Sequence, residues 1–189
     1  MPSGGVSPLT AITKRQVAGL QERLEAHGLD LPVYLGMRNW HPLLPDTLRE
    51  MADAGVKRAL AFVTSAYSSY SGCRQYRENI FAAQQSVGPN APQVDKLRVF
   101  YNHPDFIAAT VERLQAAWSQ IPSDRRERAE IAFTAHSIPT SMSAGSRYVE
   151  QLTETCRLIA ERIGVPAERW KLVYQSRSGP PTQPWLEPD

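Results

Sequence analysis

His136 is the side chain whose place in the sequence most favours chemistry. It directly follows the apolar segment 131–135 and precedes Ser137, Ile138 and Pro139. A neutral imidazole can coordinate a metal ion or accept a proton near pH 7. A hydrogen bond within its own loop explains the residue equally well, so position alone leaves both interpretations open.

The other three histidines predict structural roles. His41 and His103 each precede a proline where a helix is predicted to begin, which favours an N-cap or a loop hydrogen bond, and His27 lies at a helix end. No two histidines lie four residues apart on one helix and the sequence has no CxxC motif, so a self-contained zinc site is not expected. Any metal chemistry needs ligands that the fold brings together or that a substrate supplies.

The segment Ser65–Tyr76 combines three tyrosines, four serines and Cys73. One interpretation is a solvated loop with packed tyrosine rings, which the composition favours. The other is a wall of aromatic and hydroxyl groups facing a flat, acidic ligand, with Cys73 available to a soft metal. Cys156 lies on the apolar stripe of a long predicted helix, so we expect its thiol to be buried.

Helical and apolar segments alternate along the chain, and this pattern predicts the elements that position these residues. Strands separated by helices favour βαβ units with a parallel sheet, an α/β fold. Ligands of such sheets bind beyond the carboxyl ends of the strands, so the residues after each strand should line one crevice. The segment 58–64, apolar almost throughout, is typical of a strand buried on both faces. Helices are predicted at 17–27, 45–54, 72–85, 104–119 and 146–163, and strands at 31–37, 58–64, 96–101, 130–135 and 170–174.

Composition excludes several classes of protein. The chain has 189 residues, of which 42% are apolar, so it can bury a core. A formal net charge of +2 gives no electrostatic reason to expect nucleic acid. The longest apolar run, residues 59–63, is too short to span a membrane, and the first residues lack the apolar stretch of a secretory signal. Two cysteines do not predict a disulfide framework and suit a cytoplasmic protein.

Five segments, in order along the chain, resemble the ferrochelatase family, whose members insert ferrous iron into a porphyrin. They are GGVSPL at 4–9, YLGMRNWHP at 34–42, RALAFVTSAYSSYSGCRQY at 58–76, FTAHSIP at 133–139 and VYQSRSGPPTQPWLEPD at 173–189. The resemblance implies a two-lobed, Rossmann-like three-layer architecture with parallel sheets, present here incompletely. Residues 1–39 would be the end of the first lobe, and residues 40–189 most of the second.

The resemblance also implies roles for individual residues. His136 corresponds to the family's active-site histidine, an Fe(II) ligand or acceptor of pyrrole protons. Ser7 and Tyr76 correspond to positions that contact the porphyrin. Arg38 and Asn39 correspond to a cleft position that varies between branches of the family.

The segment around Cys73 is similar to the actinobacterial branch of the family. There the matching cysteine is one ligand of a two-iron two-sulfur cluster, and the branch is associated with coproporphyrin III as substrate. The other three cluster cysteines, the acidic residue that opposes the histidine and the family's first strand–helix region have no counterpart in this sequence. We therefore expect an internal piece of an enzyme that takes Fe²⁺ and coproporphyrin III. Separately, we expect a monomer. The alternatives are an inactive fragment, a porphyrin-binding module and a cobalt-chelatase relative.

Overall fold

The computed structural model describes residues 7–180 and 182–189, so residues 4–6 of the GGVSPL segment and Pro181 lie outside the described residues. The strands pair as β1 with β2 and β3 with β4. A π-helical turn over Tyr70–Arg74 precedes α3. None of the described helices is long and apolar enough to cross a lipid bilayer. The helices are α1 Leu9–Ala26, α2 Leu44–Asp53, α3 Gln75–Val87, α4 Pro104–Ser119, α5 Ser123–Arg126, α6 Thr140–Ala144 and α7 Tyr148–Arg162; the strands are β1 Arg58–Ala61, β2 Gln93–Lys96, β3 Ile131–His136 and β4 Trp170–Gln175.

The chain forms two compact units. The first unit contains the residues up to Ala61 together with Arg77–Asp95, and the second contains Phe62–Tyr76 together with Lys96–Asp189. Helix α3 begins in the second unit and continues into the first. The predicted lobe boundary between residues 39 and 40 concerns the architecture of a longer enzyme and stays a prediction.

Glycines end three of the helices, as the sequence predicts for α1 and α2. Gly28, Gly55 and Gly164 follow α1, α2 and α7 with φ values of 72°, 77° and 72°. In each case the glycine N–H bonds to the carbonyl three residues back, and the next N–H bonds to the carbonyl five residues back. This closing motif needs the left-handed conformation that glycine adopts without a Cβ penalty, so the predicted helix ends are confirmed.

Helix α4 also begins as predicted. His103 is its N-cap, with Nδ1 accepting a hydrogen bond from the Asp105 N–H at 3.3 Å, and Pro104 fills the first helical position. For His41 the N-cap alternative is wrong, because α2 begins only after Leu43, which takes the N-cap position, and the alternative of a loop hydrogen bond stays a prediction.

The predicted strand over residues 31–37 forms no ladder in the described structure. Met37 forms an isolated bridge with Leu43, and two other backbone groups of the segment bond to side chains. The Val33 N–H donates to Gln21 Oε1 at 2.9 Å, and the Thr47 hydroxyl donates to the Leu35 carbonyl at 2.7 Å. Gln21 belongs to α1 and Thr47 to α2. Side chains of two helices therefore form hydrogen bonds to this segment in place of a neighbouring strand.

The predicted strand over residues 58–64 is shorter and more exposed than expected. Only Arg58–Ala61 forms β1, and its residues alternate between exposed and half-buried. Leu60 is 66% exposed, so the prediction of a strand buried on both faces is wrong. The alternation is that of a strand with one covered face. The buried core of this unit joins Leu48 and Met51 of α2 to Ala83 of α3.

The predicted strand over residues 96–101 is displaced towards the N-terminus. β2 occupies Gln93–Lys96, and residues 97–101 do not pair with another strand among the described residues. Phe100 packs by its ring instead, stacked on Phe62 at 5.2 Å and edge-on to Phe106 at 5.3 Å. Such ring pairs stabilise a segment without any backbone ladder.

The second unit is built around the parallel strands β3 and β4. They run in register from Ile131 opposite Trp170 to His136 opposite Gln175, and α7 provides the long helix of the connection between them. Helix α4 packs against α7. This β–α–β arrangement confirms the α/β class. The two main buried clusters contain Ala135, Ile138, Tyr148, Leu152 and Tyr174, and Ile107, Val111 and Ile159.

The second unit contains three buried weak acids, Tyr148, Cys156 and Tyr174, and the half-buried Tyr67. Burial raises the pKa of the Cys156 thiol to about 12, which confirms that this cysteine belongs to the core. Desolvation also raises the pKa of the Tyr67, Tyr148 and Tyr174 phenols above their ordinary value. The folded protein therefore keeps these protons at alkaline pH values at which the unfolded chain loses them.

We predict that the free energy of unfolding is highest below pH 9 and falls as the pH rises towards 12. Over that range the unfolded chain binds fewer protons than the folded chain, so stability decreases with pH. Cys156→Ala should flatten this decrease. Ile159→Val, a non-titrating change on the same helix, should cost about 0.5–1.5 kcal/mol at every pH. Urea unfolding across alkaline pH measures both variants, and an unchanged pH slope in Cys156→Ala would contradict the account.

Candidate functional site

His136 is the last residue of β3, and its side chain is exposed. Its partner in the ladder is Gln175, the last residue of β4. The carboxyl ends of the two parallel strands therefore lie side by side, the edge where ligands of α/β sheets bind. The His136 backbone carbonyl accepts a hydrogen bond from the Tyr148 hydroxyl at 3.0 Å.

Ser137 fixes the chain immediately after the histidine. It has no exposed surface, its N–H donates to the Gln175 carbonyl at 2.8 Å, and its hydroxyl donates to the Leu186 carbonyl at 3.0 Å. The Leu186 N–H returns a hydrogen bond to the Ile138 carbonyl at 3.0 Å. The hydroxyl is thus a structural donor, and His136 extends from a backbone that is bonded on both sides.

The chain after β4 turns sharply beside this position. Ser176, directly after Gln175, has a φ of 62°, a left-handed conformation that non-glycine residues adopt rarely. Further along, Gly179 lies against the Trp185 ring, where an added Cβ would be 3.2 Å from the ring carbon Cζ2. Trp185 in turn forms an antiparallel bridge with Pro139. The loops after β3 and β4 therefore form one bonded structure.

Two phenols pack together near the His136 backbone, the buried Tyr148 and the half-buried Tyr67. The Tyr148 ring meets the Tyr67 ring edge-on, with centroids 6.1 Å apart and planes at 90°. Burial raises the pKa of both phenols, so Tyr148 is protonated at neutral pH and can donate to the His136 carbonyl. The phenol acts on the position of His136, through its backbone.

The segment Ser65–Tyr76 is built into the second unit, so the solvated-loop interpretation is wrong for its central residues. Ser69 is 9% exposed, and its hydroxyl caps the π-helical turn by accepting from the Gly72 N–H at 3.0 Å. The Ser69 carbonyl accepts from the Cys73 N–H at 2.9 Å. Tyr70 is 42% exposed, so this segment offers an aromatic ring to solvent from a fixed backbone.

Cys73 is half-buried in the π-helical turn, a type of turn that is frequent at functional sites. A two-iron two-sulfur cluster takes four protein ligands. The chain has one other cysteine, the buried Cys156, and the described residues include no group of three or more histidine, cysteine or acidic side chains able to hold a metal. These residues do not hold a cluster by themselves, and the ligand role of Cys73 stays a prediction.

The remaining predicted site residues fall into the two units separately. Ser7 is exposed just before α1, where its hydroxyl accepts from the Leu9 N–H at 3.4 Å. Arg38 is half-buried and Asn39 is exposed, and both lie in a loop of the first unit. A bridge between the residues flanking that loop, 37 and 43, closes it.

Tyr76 lies in the first turn of α3 and is half-buried. The second unit therefore contains His136, Cys73 and Tyr76, while Ser7, Arg38 and Asn39 belong to the first unit. Their roles towards a porphyrin stay predictions.

The sequence interpretation missed the polar residues on the buried side of α7. Tyr148, Gln151 and Thr155 are buried, and they bond to the end of β3 and to two loops of the second unit. The signal was present in the sequence. These residues share the helix face of the apolar stripe, where a polar side chain has to find a partner inside the protein.

Comparison with known proteins identifies the family of this chain. The ferrochelatase family matches the chain over residues 1–189. The chain belongs to the ferrochelatase family. Among its relatives, the ferrochelatase of Rhodopirellula baltica is 53% identical over 186 residues. The coproporphyrin III ferrochelatases of Nocardia farcinica and Streptomyces coelicolor are 48% identical over 194 residues and 49% identical over 203 residues.

The family match confirms the resemblance found in the sequence. Each of these three alignments covers 98% of this chain but only 52–54% of the relative. The chain therefore spans about half the length of the curated relatives it matches.

We predict that Gly72→Ala destabilises the second unit by about 1–3 kcal/mol, the usual range for overpacking. A Cβ at this position would lie 2.5 Å from the Ser65 hydroxyl and 3.0 Å from the Tyr67 carbonyl. Gly145→Ala is the matched control, because its Cβ would meet nothing closer than 3.9 Å. Adding Ser65→Ala to Gly72→Ala should restore part of the loss. Urea unfolding of the four proteins tests this, and equal stability of the Gly72 and Gly145 variants would contradict it.

Proposed function

We propose that this chain forms part of an enzyme that inserts Fe(II) into coproporphyrin III during haem biosynthesis. Family membership and the names of the Nocardia and Streptomyces relatives support the reaction and the substrate. The architecture we propose is two Rossmann-like lobes of three layers each. The β3–α7–β4 arrangement of the second unit supports it.

The observation that carries this proposal is the placement of His136. Metal insertion requires loss of two pyrrole N–H protons and partial removal of water from Fe(II). An imidazole can accept such a proton or coordinate the metal. His136 is exposed at the carboxyl end of a parallel strand, and its backbone carbonyl and the next residue are both hydrogen-bonded. A fixed backbone lowers the cost of holding the imidazole towards a reacting group.

Binding of coproporphyrin III needs broad apolar contacts and partners for its carboxylates. We propose that Ser7, Arg38, Asn39 and Tyr76 contact the porphyrin and bind its carboxylates. The residue types support this, because hydroxyl, amide and guanidinium groups bind carboxylates by hydrogen bonds. Trp40, which follows Asn39, is 64% exposed and has the flat apolar surface that a macrocycle requires.

For Cys73 we propose the role of one ligand in a two-iron two-sulfur cluster. The remaining ligands would come from residues outside this chain. Both cysteines are free thiols, which supports placing the enzyme in the reducing cytoplasm.

Replacing His136 tests the proposal directly. His136→Ala should lower the insertion rate by about 10²-fold or more, because it removes the proposed proton acceptor and metal ligand. Insertion of Fe(II) or Zn(II) into coproporphyrin III is followed by absorbance under anaerobic conditions. The assay is run on this chain and on any longer reading frame that contains it. His27→Ala, at the exposed end of α1, is the control and should keep the parental rate.

The same assay separates the alternative functions. Turnover retained in His136→Ala would refute the assigned role of this residue. Porphyrin binding without turnover in the parent protein would favour a binding module. Insertion of cobalt in place of iron would favour a cobalt-chelatase relative.

A further inference from the structure

Three buried polar side chains on one face of α7 bond to three different segments of the second unit. Tyr148, Gln151 and Thr155 are spaced by three and four residues, so they lie above one another along the helix. Tyr148 bonds to the carbonyl of His136 at 3.0 Å, and Thr155 Oγ1 donates to the carbonyl of Tyr101 at 2.9 Å. Gln151 lies between them and holds the segment Ser65–Tyr76.

Both polar atoms of the Gln151 side-chain amide form hydrogen bonds to a single residue, Ser68. Its Oε1 accepts from the Ser68 N–H at 2.7 Å, and its Nε2 donates to the Ser68 hydroxyl at 3.1 Å. The side chain is 4% exposed. A buried amide needs partners for both groups, and two bonds to one residue fix its orientation as well as its distance.

Ser68 lies between two residues that both make structural contacts in the second unit. On one side is Tyr67, whose ring packs edge-on against Tyr148. On the other side is Ser69, whose hydroxyl and carbonyl organise the π-helical turn that contains Cys73. Fixing Ser68 to α7 therefore fixes the whole segment to the helix that also bonds to the His136 backbone.

We propose that Gln151 is a positioning residue that sets the segment Ser65–Tyr76 relative to His136. One helix face then holds His136 and the segment that contains Tyr76 in a constant arrangement. The inference rests on the proposed function, in which His136 acts on the metal side and Tyr76 contacts the porphyrin. Gln151 acts through Ser68.

Amide exchange tests the structural half of this proposal without any substrate. Gln151→Met keeps the length of the side chain but removes both hydrogen bonds, so exchange at Ser68 and Gly72 should become roughly tenfold faster. Exchange within β3 and β4 should not change. Gln151→Glu keeps an oxygen acceptor for the Ser68 N–H and should restore part of the protection. Ile159→Val, a loss of packing on the same helix, should leave the Ser68 amide unchanged.

Kinetics of the active protein test the functional half. In Gln151→Met, we expect the KM for coproporphyrin III to rise roughly tenfold while the KM for Fe(II) stays constant. A merely structural defect would lower kcat through a smaller active fraction and leave both KM values unchanged. That result, or an unchanged Ser68 exchange rate, would overturn the proposal. Partial recovery of the porphyrin KM in Gln151→Glu would support it.

The two proposals fail in different ways. If the parent inserts metal and Gln151→Met has a parental KM for porphyrin, only the positioning role is refuted. If the parent binds coproporphyrin III without inserting metal, the proposed function fails. Fluorescence quenching then compares porphyrin affinity in place of KM, and weaker binding by Gln151→Met supports the positioning role. A parent that neither inserts metal nor binds coproporphyrin III overturns both proposals.

Discussion

Two hydrogen bonds from the buried Ser137 join the end of β4, the loop after β3 and a segment near residue 186. Its N–H satisfies the Gln175 carbonyl and its hydroxyl satisfies the Leu186 carbonyl. Removing the hydroxyl would leave a buried carbonyl without this donor, which is the costly way to lose a hydrogen bond. The position of the His136 imidazole depends on this contact, because it fixes the backbone from which the side chain extends.

The role that we propose for His136 requires an imidazole that stays open to a ligand. At least one ring nitrogen then has to remain without a protein partner, which limits how firmly the ring itself can be held. Here the constraint is applied to the neighbouring peptide groups, by Ser137 on one side and by the Tyr148 phenol on the other. In the same way, Gln151 holds the segment Ser65–Tyr76 through a backbone group, the N–H of Ser68. Positioning by buried polar groups, with the reactive group left exposed, is compatible with the porphyrin site that we propose.

The sequence predicted the parts of the fold whose signals are local. The stripe on α7, the proline and histidine at the start of α4, and the glycines after α1 and α2 each act within a few residues. The sequence did not predict the parts of the structure that depend on contacts between residues far apart in the chain. Residues 31–37 look like a strand, yet side chains from two helices bond to the Val33 N–H and the Leu35 carbonyl. His136 was identified from its place after an apolar strand, whereas Gln151 was not, because its partner Ser68 lies 83 positions away.

The most direct test of the central claim observes the imidazole of His136 itself. The chain has four histidines, so the ring nitrogen NMR signals of a protein labelled with ¹⁵N at histidine can be assigned with single His→Asn variants. Coproporphyrin III and Zn(II), a diamagnetic substitute for Fe(II), are then added together. The account predicts that the His136 ring signals shift while those of His27 remain unchanged. Unchanged His136 signals in a sample that binds or metallates the porphyrin would contradict it.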